Sequence, residues 1–173
     1  MAKTRLLIFF VVLSGNFSNS QSKPEIDSLL DGIARIENSK EITKTEQAEK
    51  ILAFGESSLT ILAEFFIDST KTVVRSECQE RNLTKGELAI IMADRIEIMP
   101  YATITGIQNC LLTYCENNPN IVEYYLWAIK RDGYDNFQKK YVDWIYSKDR
   151  LDWPIKLKGK ARKERKKQIR NAN

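Results

Sequence analysis

Residues 118–145 read NPNIVEYYLWAIKRDGYDNFQKKYVDWI and describe two amphipathic helices separated by a glycine. Asn118 followed by Pro119 is typical of a helix start, because the asparagine side chain accepts from an unpaired backbone N–H and proline fits the first turn. Apolar residues then recur at helical spacing as far as Gly133, which favours the left-handed backbone past a helix end. A second apolar face follows, formed by Tyr134, Phe137, Tyr141, Trp144 and Ile145. The stretch therefore predicts a helical hairpin.

Similar short segments precede this hairpin. Thr43 with Glu46, and Thr84 with Glu87, have the spacing of capping boxes, each followed by apolar residues at helical intervals. No alternating strand pattern of useful length is found, and we interpret residues 70–83 as a loop with part of a helix. The sequence predicts an all-α domain of about seven short amphipathic helices packed as antiparallel pairs.

One stretch of this domain has the pattern of a helical repeat unit. Its residues are Phe54, Gly55, Leu59, Leu62, Phe65, Phe66, Asp68, Val74 and Arg75. Residues 54–75 resemble a single HEAT-type repeat, in which a glycine precedes an apolar helix and an aspartate turn leads to Val-Arg at the next helix. The spacing from Asp68 to Arg75 is one residue longer than usual, and no second copy follows, whereas a stable stack needs about three. The resemblance implies antiparallel helix pairs and a partner-binding surface, and it points to no specific family.

Residues 1–20 are typical of a secretory signal peptide. Two basic residues precede an eight-residue apolar run over Leu6–Leu13, and small residues follow at Ser18 and Ser20. The run is shorter than the roughly 20 residues needed to span a bilayer. We therefore expect a secreted or periplasmic protein that begins near Gln21 and has no transmembrane segment in its mature chain.

Charge divides the remainder of the chain into two parts. Residues 21–155, the expected globular domain, hold 16 basic and 22 acidic residues, whereas residues 156–173 hold 9 basic residues and one acidic residue, Glu164. We expect this basic tail to be mobile, because it lacks an apolar face. One interpretation is that Lys156–Arg170 contacts an anionic polymer or lipid surface. The others are that the tail folds back on the acidic body or is a solvated end. A nucleic-acid partner is not expected, since the tail has no interleaved aromatic residues.

Composition excludes several chemistries. The chain has no histidine, which rules out His-dependent triads and His-based zinc sites, and its seven glycines form no phosphate-binding loop. We therefore expect no catalytic centre, no metal and no cofactor. A carboxylate pair for glycoside hydrolysis is the remaining option, with Glu87 and Asp94 seven residues apart and Glu97 one turn further. We favour a capping role for Glu87 and a solvated polar stripe over Asp94, Arg95 and Glu97.

The chain has three cysteines: Cys78, Cys110 and Cys115. Cys110 and Cys115 are expected on one helix, where a spacing of five residues places them about 140° apart and prevents a bridge. If one disulfide forms, it joins Cys78 to Cys110 or Cys115, and we take Cys78 with Cys115 as the candidate pair. The alternative is that all three are small buried apolar groups.

The candidate binding residues are Tyr124, Trp127 and Arg131. At spacings of three and four they form a second face of their helix, separate from the apolar face that carries Tyr125. This face is either covered by another helix or exposed as a binding surface for a sugar ring or a protein partner.

These observations favour an exported, non-enzymatic interaction or accessory protein of a cell envelope or extracellular space. Its partner would be an unknown protein or an anionic envelope polymer. A small envelope polysaccharide hydrolase and an inhibitor or immunity protein that binds a toxin or enzyme remain as alternatives.

Overall fold

The computed structural model describes residues 22–108, 122–154 and 157–172. Over these residues the chain forms eight α-helices and one small antiparallel sheet, which confirms the predicted all-α fold class. The helices are α1 (Lys23–Ile33), α2 (Glu46–Phe54), α3 (Leu59–Glu64), α4 (Lys85–Ile96), α5 (Tyr101–Thr105), α6 (Val122–Asp132), α7 (Tyr134–Ile145) and α8 (Gly159–Ala172). The strands are β1 (Lys71–Arg75) and β2 (Asn82–Thr84). Short 3-10 turns cover Ser39–Lys44, Gly55–Ser58 and Asp149–Asp152.

Helix α4 lies at the centre of the helical body. It packs against α1, α2, α3 and α6, and every residue from Lys85 to Asp94 is buried. The predicted capping box at its start is confirmed. The Thr84 hydroxyl accepts from the Glu87 N–H at 3.2 Å, and the Glu87 carboxylate accepts from the Thr84 N–H at 2.8 Å.

The first turn of α4 is fixed to its neighbours by two adjacent residues. Gly86 leaves no room for a side chain, because a Cβ there would lie 2.5 Å from the Phe66 carbonyl oxygen. The Lys85 ammonium lies 2.5 Å from a carboxylate oxygen of Asp27 and 2.6 Å from one of Asp31, both on α1. Close backbone approach on one side and two ion pairs on the other therefore set the position of α4.

A layer of aromatic side chains joins the turn after α3 to α7. The Phe66 ring lies 5.8 Å from the ring of Phe137 and 5.1 Å from that of Tyr141. Trp144 and Ile145 on the same face of α7 are also buried. The apolar face predicted after Gly133 thus forms part of the core.

The interpretation of residues 70–83 as a loop with part of a helix is wrong. These residues form a β-hairpin. Thr72 and Val74 point inward, whereas Val73 between them is 59% exposed. The Thr72 hydroxyl donates to the Leu83 carbonyl oxygen of β2 at 2.7 Å. Alternation over five residues is characteristic of a strand, but it is too short to stand out against the helical pattern around it.

Two further local predictions are wrong. Val74 and Arg75 lie in β1, so the second helix implied by the HEAT-type resemblance is absent at this position. Helix α2 begins two residues later than the box predicted at Thr43: Thr45 is the N-cap, and its hydroxyl accepts from the Ala48 N–H at 3.1 Å.

The basic tail also differs from its prediction. We expected residues 156–173 to be mobile, but most of them form helix α8, which has two buried side chains. Arg165 and Ile169 lie one turn apart and face the body. The sequence shows no apolar face here because one of the two anchoring residues is an arginine.

The predicted signal peptide, residues 1–20, lies outside the described residues. Within the described ranges, no helix has both the length and the hydropathy needed to cross a bilayer.

Candidate functional site

The three predicted binding residues lie on α6, and two of them meet at its surface. Trp127 is 39% exposed, and the guanidinium carbon of Arg131 lies 5.0 Å from the centroid of its ring. Arg131 also pairs with Asp132 at 2.7 Å. An exposed cation–π contact contributes only about 0.5–1 kcal/mol, but here it holds a flat ring and a positive charge side by side on the surface.

Tyr124 is placed differently from the other two. It is half-buried, and its ring meets that of Tyr125 edge-on, with 5.1 Å between centroids. Tyr125 is stacked on Tyr101 of α5 at 4.1 Å. The candidate surface therefore consists of Trp127 and Arg131, and Tyr124 contacts the core stack behind it.

Glu87, a candidate for carboxylate chemistry, is fully buried in a set of donors. Both terminal nitrogens of Arg81 donate to it, at 2.6 and 2.8 Å, and the Tyr134 hydroxyl donates at 2.5 Å. Burial alone would raise the pKa of Glu87, but the hydrogen bonds from Arg81, Tyr134 and Thr84 together outweigh it and lower the pKa. This carboxylate joins the hairpin, α4 and α7, which is a structural role.

The prediction that Asp94, Arg95 and Glu97 form a solvated polar stripe is wrong. Asp94 and Glu97 are buried, and Arg95 alone of the three is exposed. The Met99 N–H donates to Asp94 at 2.9 Å. Burial raises the pKa of Asp94, and the hydrogen bond from Met99 only partly offsets this effect.

A network of two arginines and two glutamates, of which three are buried, was missed at the sequence level. Glu97, at the end of α4, accepts from Arg150 at 2.5 Å and lies 3.1 Å from Arg165. Glu56 accepts from Arg150 at 3.0 Å and from Arg165 at 3.2 Å. The side chains of Arg150, Glu97 and Arg165 are only 3–5% exposed, and that of Glu56 is 40% exposed.

The network is completed by backbone acceptors. Arg150 donates to the Ile145 carbonyl oxygen at 3.3 Å, and Arg165 donates to those of Arg150 and Trp153 at 3.0 and 3.2 Å. Removing one ion of such a set leaves a buried charge uncompensated, which costs about 3–5 kcal/mol. Its members are up to 109 positions apart, so no local pattern in the sequence points to it.

The outer side of α8 carries the charge that was predicted to contact an anionic surface. At 3.6 residues per turn, five of its cations lie within an arc of about 120° on the side opposite Arg165. These exposed residues are Lys160, Lys163, Lys166, Lys167 and Arg170, named here the basic face. Arg162 instead turns to Asp152 at 2.7 Å. Lys156, at the start of the predicted contact segment, lies outside the described residues.

Cys78 is disulfide-bonded. Its proposed partner Cys115 lies outside the described residues, so this pairing stays a prediction. Beside Cys78, the buried Glu123 of α6 accepts from the Ser76 hydroxyl and from the Cys78 N–H. The Gln79 side chain donates to the Glu123 carbonyl oxygen at 2.6 Å. These bonds hold the segment between β1 and β2 against α6.

Among the described residues, no group of three or more His, Cys, Asp or Glu side chains is arranged to hold a metal ion. No family model matches the chain, and no match is found among the curated proteins or the solved structures. We therefore infer the function from the chain's own residues and their geometry.

Glu87 and Asp94 lie on one helix but are expected to affect stability in opposite ways. Glu87→Gln should lower the free energy of unfolding by about 3 kcal/mol near neutral pH, because it breaks a buried ion pair. The folded chain lowers the pKa of Glu87, so its stabilisation is present above the unfolded pKa and lost as the pH falls through the folded one. Urea unfolding should show the deficit of the variant shrinking in acid.

Asp94→Asn keeps an acceptor for the Met99 N–H and removes a charge that burial disfavours. The folded chain raises the pKa of Asp94, so the stabilisation it provides is complete below the unfolded pKa and lost as the pH rises through the folded one. This variant should therefore be more stable than wild type at neutral pH and equal to it in acid. Parallel pH dependences for the two variants would contradict the two assignments.

Arg165→Met tests whether the network holds α8 to the body. Loss of one buried ion by this mechanism favours detachment of α8 by about 3 kcal/mol, so trypsin should cleave inside α8 at least tenfold faster, as followed by mass spectrometry. Lys163→Met is the matched control, because it removes one cleavage site from the same helix but lies on the exposed side. Equal cleavage rates in the two variants would show that Arg165 does not hold the helix.

Proposed function

We propose that this chain is an exported, non-catalytic binding protein of a cell envelope or extracellular space, and that it contacts an anionic polymer or lipid surface through the basic face of α8. The observation that carries the proposal is the arrangement of α8. Five cations lie on its outer side, while Arg165 and Ile169 fix its inner side to the body. A helix that is already held loses less conformational entropy on binding than a free tail would.

Two features support export. Residues 1–20 have the pattern of a signal peptide, and Cys78 is disulfide-bonded. Disulfides persist in oxidising compartments and are rare in the cytosol. An exported protein with a concentrated positive face would encounter anionic lipid headgroups and cell-surface polymers.

The burial of the candidate acids supports a role without catalysis. A glycosidase needs two carboxyl groups that flank the substrate bond. Glu87 and Glu97 are instead engaged by guanidinium groups, and Asp94 is buried against a backbone N–H.

Trp127 and Arg131 favour a second candidate function, the binding of a protein partner such as a toxin or enzyme. Tryptophan and arginine are enriched among the few residues that dominate the free energy of protein interfaces. The exposed contact between their side chains on α6 offers such an anchor.

Trp127 is expected to be the most accessible tryptophan to iodide. Trp144 is buried and Trp153 half-buried, with its indole N–H donating to the Ile98 carbonyl oxygen at 2.6 Å. Stern–Volmer titration of wild type should reveal a quenchable component of the fluorescence that is lost in Trp127→Phe. Acrylamide, which is neutral, controls for attraction of iodide by Arg131. Poor quenching of Trp127 by both agents would exclude this second candidate.

The triple variant Lys163→Gln, Lys166→Gln and Lys167→Gln tests the basic face. At about 1 kcal/mol for each lysine near an anionic surface, it should bind anionic phospholipid vesicles about a hundredfold more weakly than wild type. Wild-type binding should weaken steeply with added salt, since exposed charges are screened. Co-sedimentation measures vesicle binding, and titration with polygalacturonate shows whether the acceptor is a soluble polymer instead.

The control variant replaces Lys44, Lys50 and Lys71, three exposed lysines outside α8, by glutamine. It has the same net charge as the test variant and should bind like wild type. If both triple variants lose affinity equally, net charge rather than the basic face controls binding. If wild type binds neither vesicles nor polygalacturonate at low salt, the proposal is wrong.

A further inference from the structure

A cleft of about 500 Å³ lies along one flank of α8. Gln168 and Asn171 of α8 form one wall, and Glu56 and Thr60 lie among the residues of the other. Its volume is within the range of small-molecule binding sites, about 300–1,000 Å³. No residue of the basic face is among its described lining residues, so the cleft is a feature separate from the basic face.

The charged groups of this cleft are already paired. Arg150 is the cation among its described lining residues, and it donates to Glu97, Glu56 and the Ile145 carbonyl oxygen. Its guanidinium therefore cannot offer a bidentate pair of N–H donors to a carboxylate or phosphate, which is the geometry by which arginine recognises anions. A negatively charged ligand would therefore find no unpaired cation among the described lining residues of the cleft.

Glu56 offers one fixed acceptor to the cleft. Its carboxylate has about four acceptor positions, and three N–H groups of Arg150 and Arg165 occupy three of them. Because its side chain is 40% exposed, the remaining position is open to a ligand hydroxyl. The two arginines hold this acceptor in place before any ligand arrives, and such preorganisation favours binding.

The other polar groups of the cleft are neutral. Gln168 and Asn171 are three residues apart on one side of α8, and each amide offers donors and an acceptor. Thr60 adds a hydroxyl, and Tyr146 and Ile145 contribute apolar surface. A sugar ring matches this set, because each of its hydroxyls both donates and accepts, and its C–H face packs on aromatic surface.

We propose that this cleft binds one neutral sugar unit of a glycan, with Glu56, Gln168 and Asn171 bonding its hydroxyls. This binding goes beyond the function proposed above and does not require it. A glycan held here would lie directly beside the helix that carries the basic face.

The experiment uses purified protein and three neutral oligosaccharides, N-acetylated chitotriose, cellotriose and maltotriose, with saturation-transfer NMR and calorimetric titration. At least one of them is expected to bind with a Kd near 1 mM or tighter. The double variant Gln168→Ala and Asn171→Ala should lose about tenfold or more in affinity, because two hydrogen bonds are removed. Alanine favours the helix, so α8 should remain intact, which circular dichroism checks.

The matched control is Lys50→Ala with Lys139→Ala, two exposed helix positions outside both the cleft and the basic face, and it should bind the sugar like wild type. The proposal is overturned if none of the three oligosaccharides binds at about 10 mM, or if the cleft variant and the control bind equally. It is also overturned if trigalacturonate binds and the triple variant of the basic face, Lys163→Gln, Lys166→Gln and Lys167→Gln, abolishes that binding while no neutral sugar binds. That last result would leave the basic face in place as the contact with anions.

Discussion

The pairing of buried charge at one end of the molecule is the constraint on which its architecture depends. Arg150, Glu97 and Arg165 are nearly inaccessible to water, and each buried ion costs several kcal/mol unless its partners are in place. Glu97 ends α4, Arg150 lies in the turn after α7, and Arg165 belongs to α8. The network is complete only when these three segments are together, so α8 is part of the body rather than an appendage.

Helix α4 extends the same principle along its length. Lys85 reaches α1, Glu87 reaches the hairpin and α7, Asp94 reaches the segment before α5, and Glu97 reaches the arginine network. A shift of α4 by one residue would rotate each of them by about 100° and move it about 1.5 Å along the axis. Each buried polar group would then lose its partner at a cost of about 1–3 kcal/mol. Polar contacts therefore fix the position of α4 together with its apolar face.

Local features of the fold were predictable from the sequence, because they depend on residues a few positions apart. The capping box of Thr84 and the buried face of α7 are examples. The errors arise where distant partners decide the outcome. The burial of Asp94 and Glu97 depends on distant groups that cover them, so the local sequence does not predict it. The burial of Arg165 likewise depends on its pairing with Glu56. The sequence could indicate the contact between Trp127 and Arg131, because the two residues lie four positions apart on one helix.

The two sides of α8 depend on each other. A free helix of this length is marginal in water, and like charges three or four residues apart, such as Lys163 with Lys167, destabilise it further. Ile169 and the pairing of Arg165 on the inner side must offset that repulsion. Conversely, an anionic surface that neutralises the outer cations would stabilise the docked helix and the cleft that α8 completes. Because such coupling is reciprocal, anything that fills the cleft and holds α8 in place would also strengthen contact through the basic face.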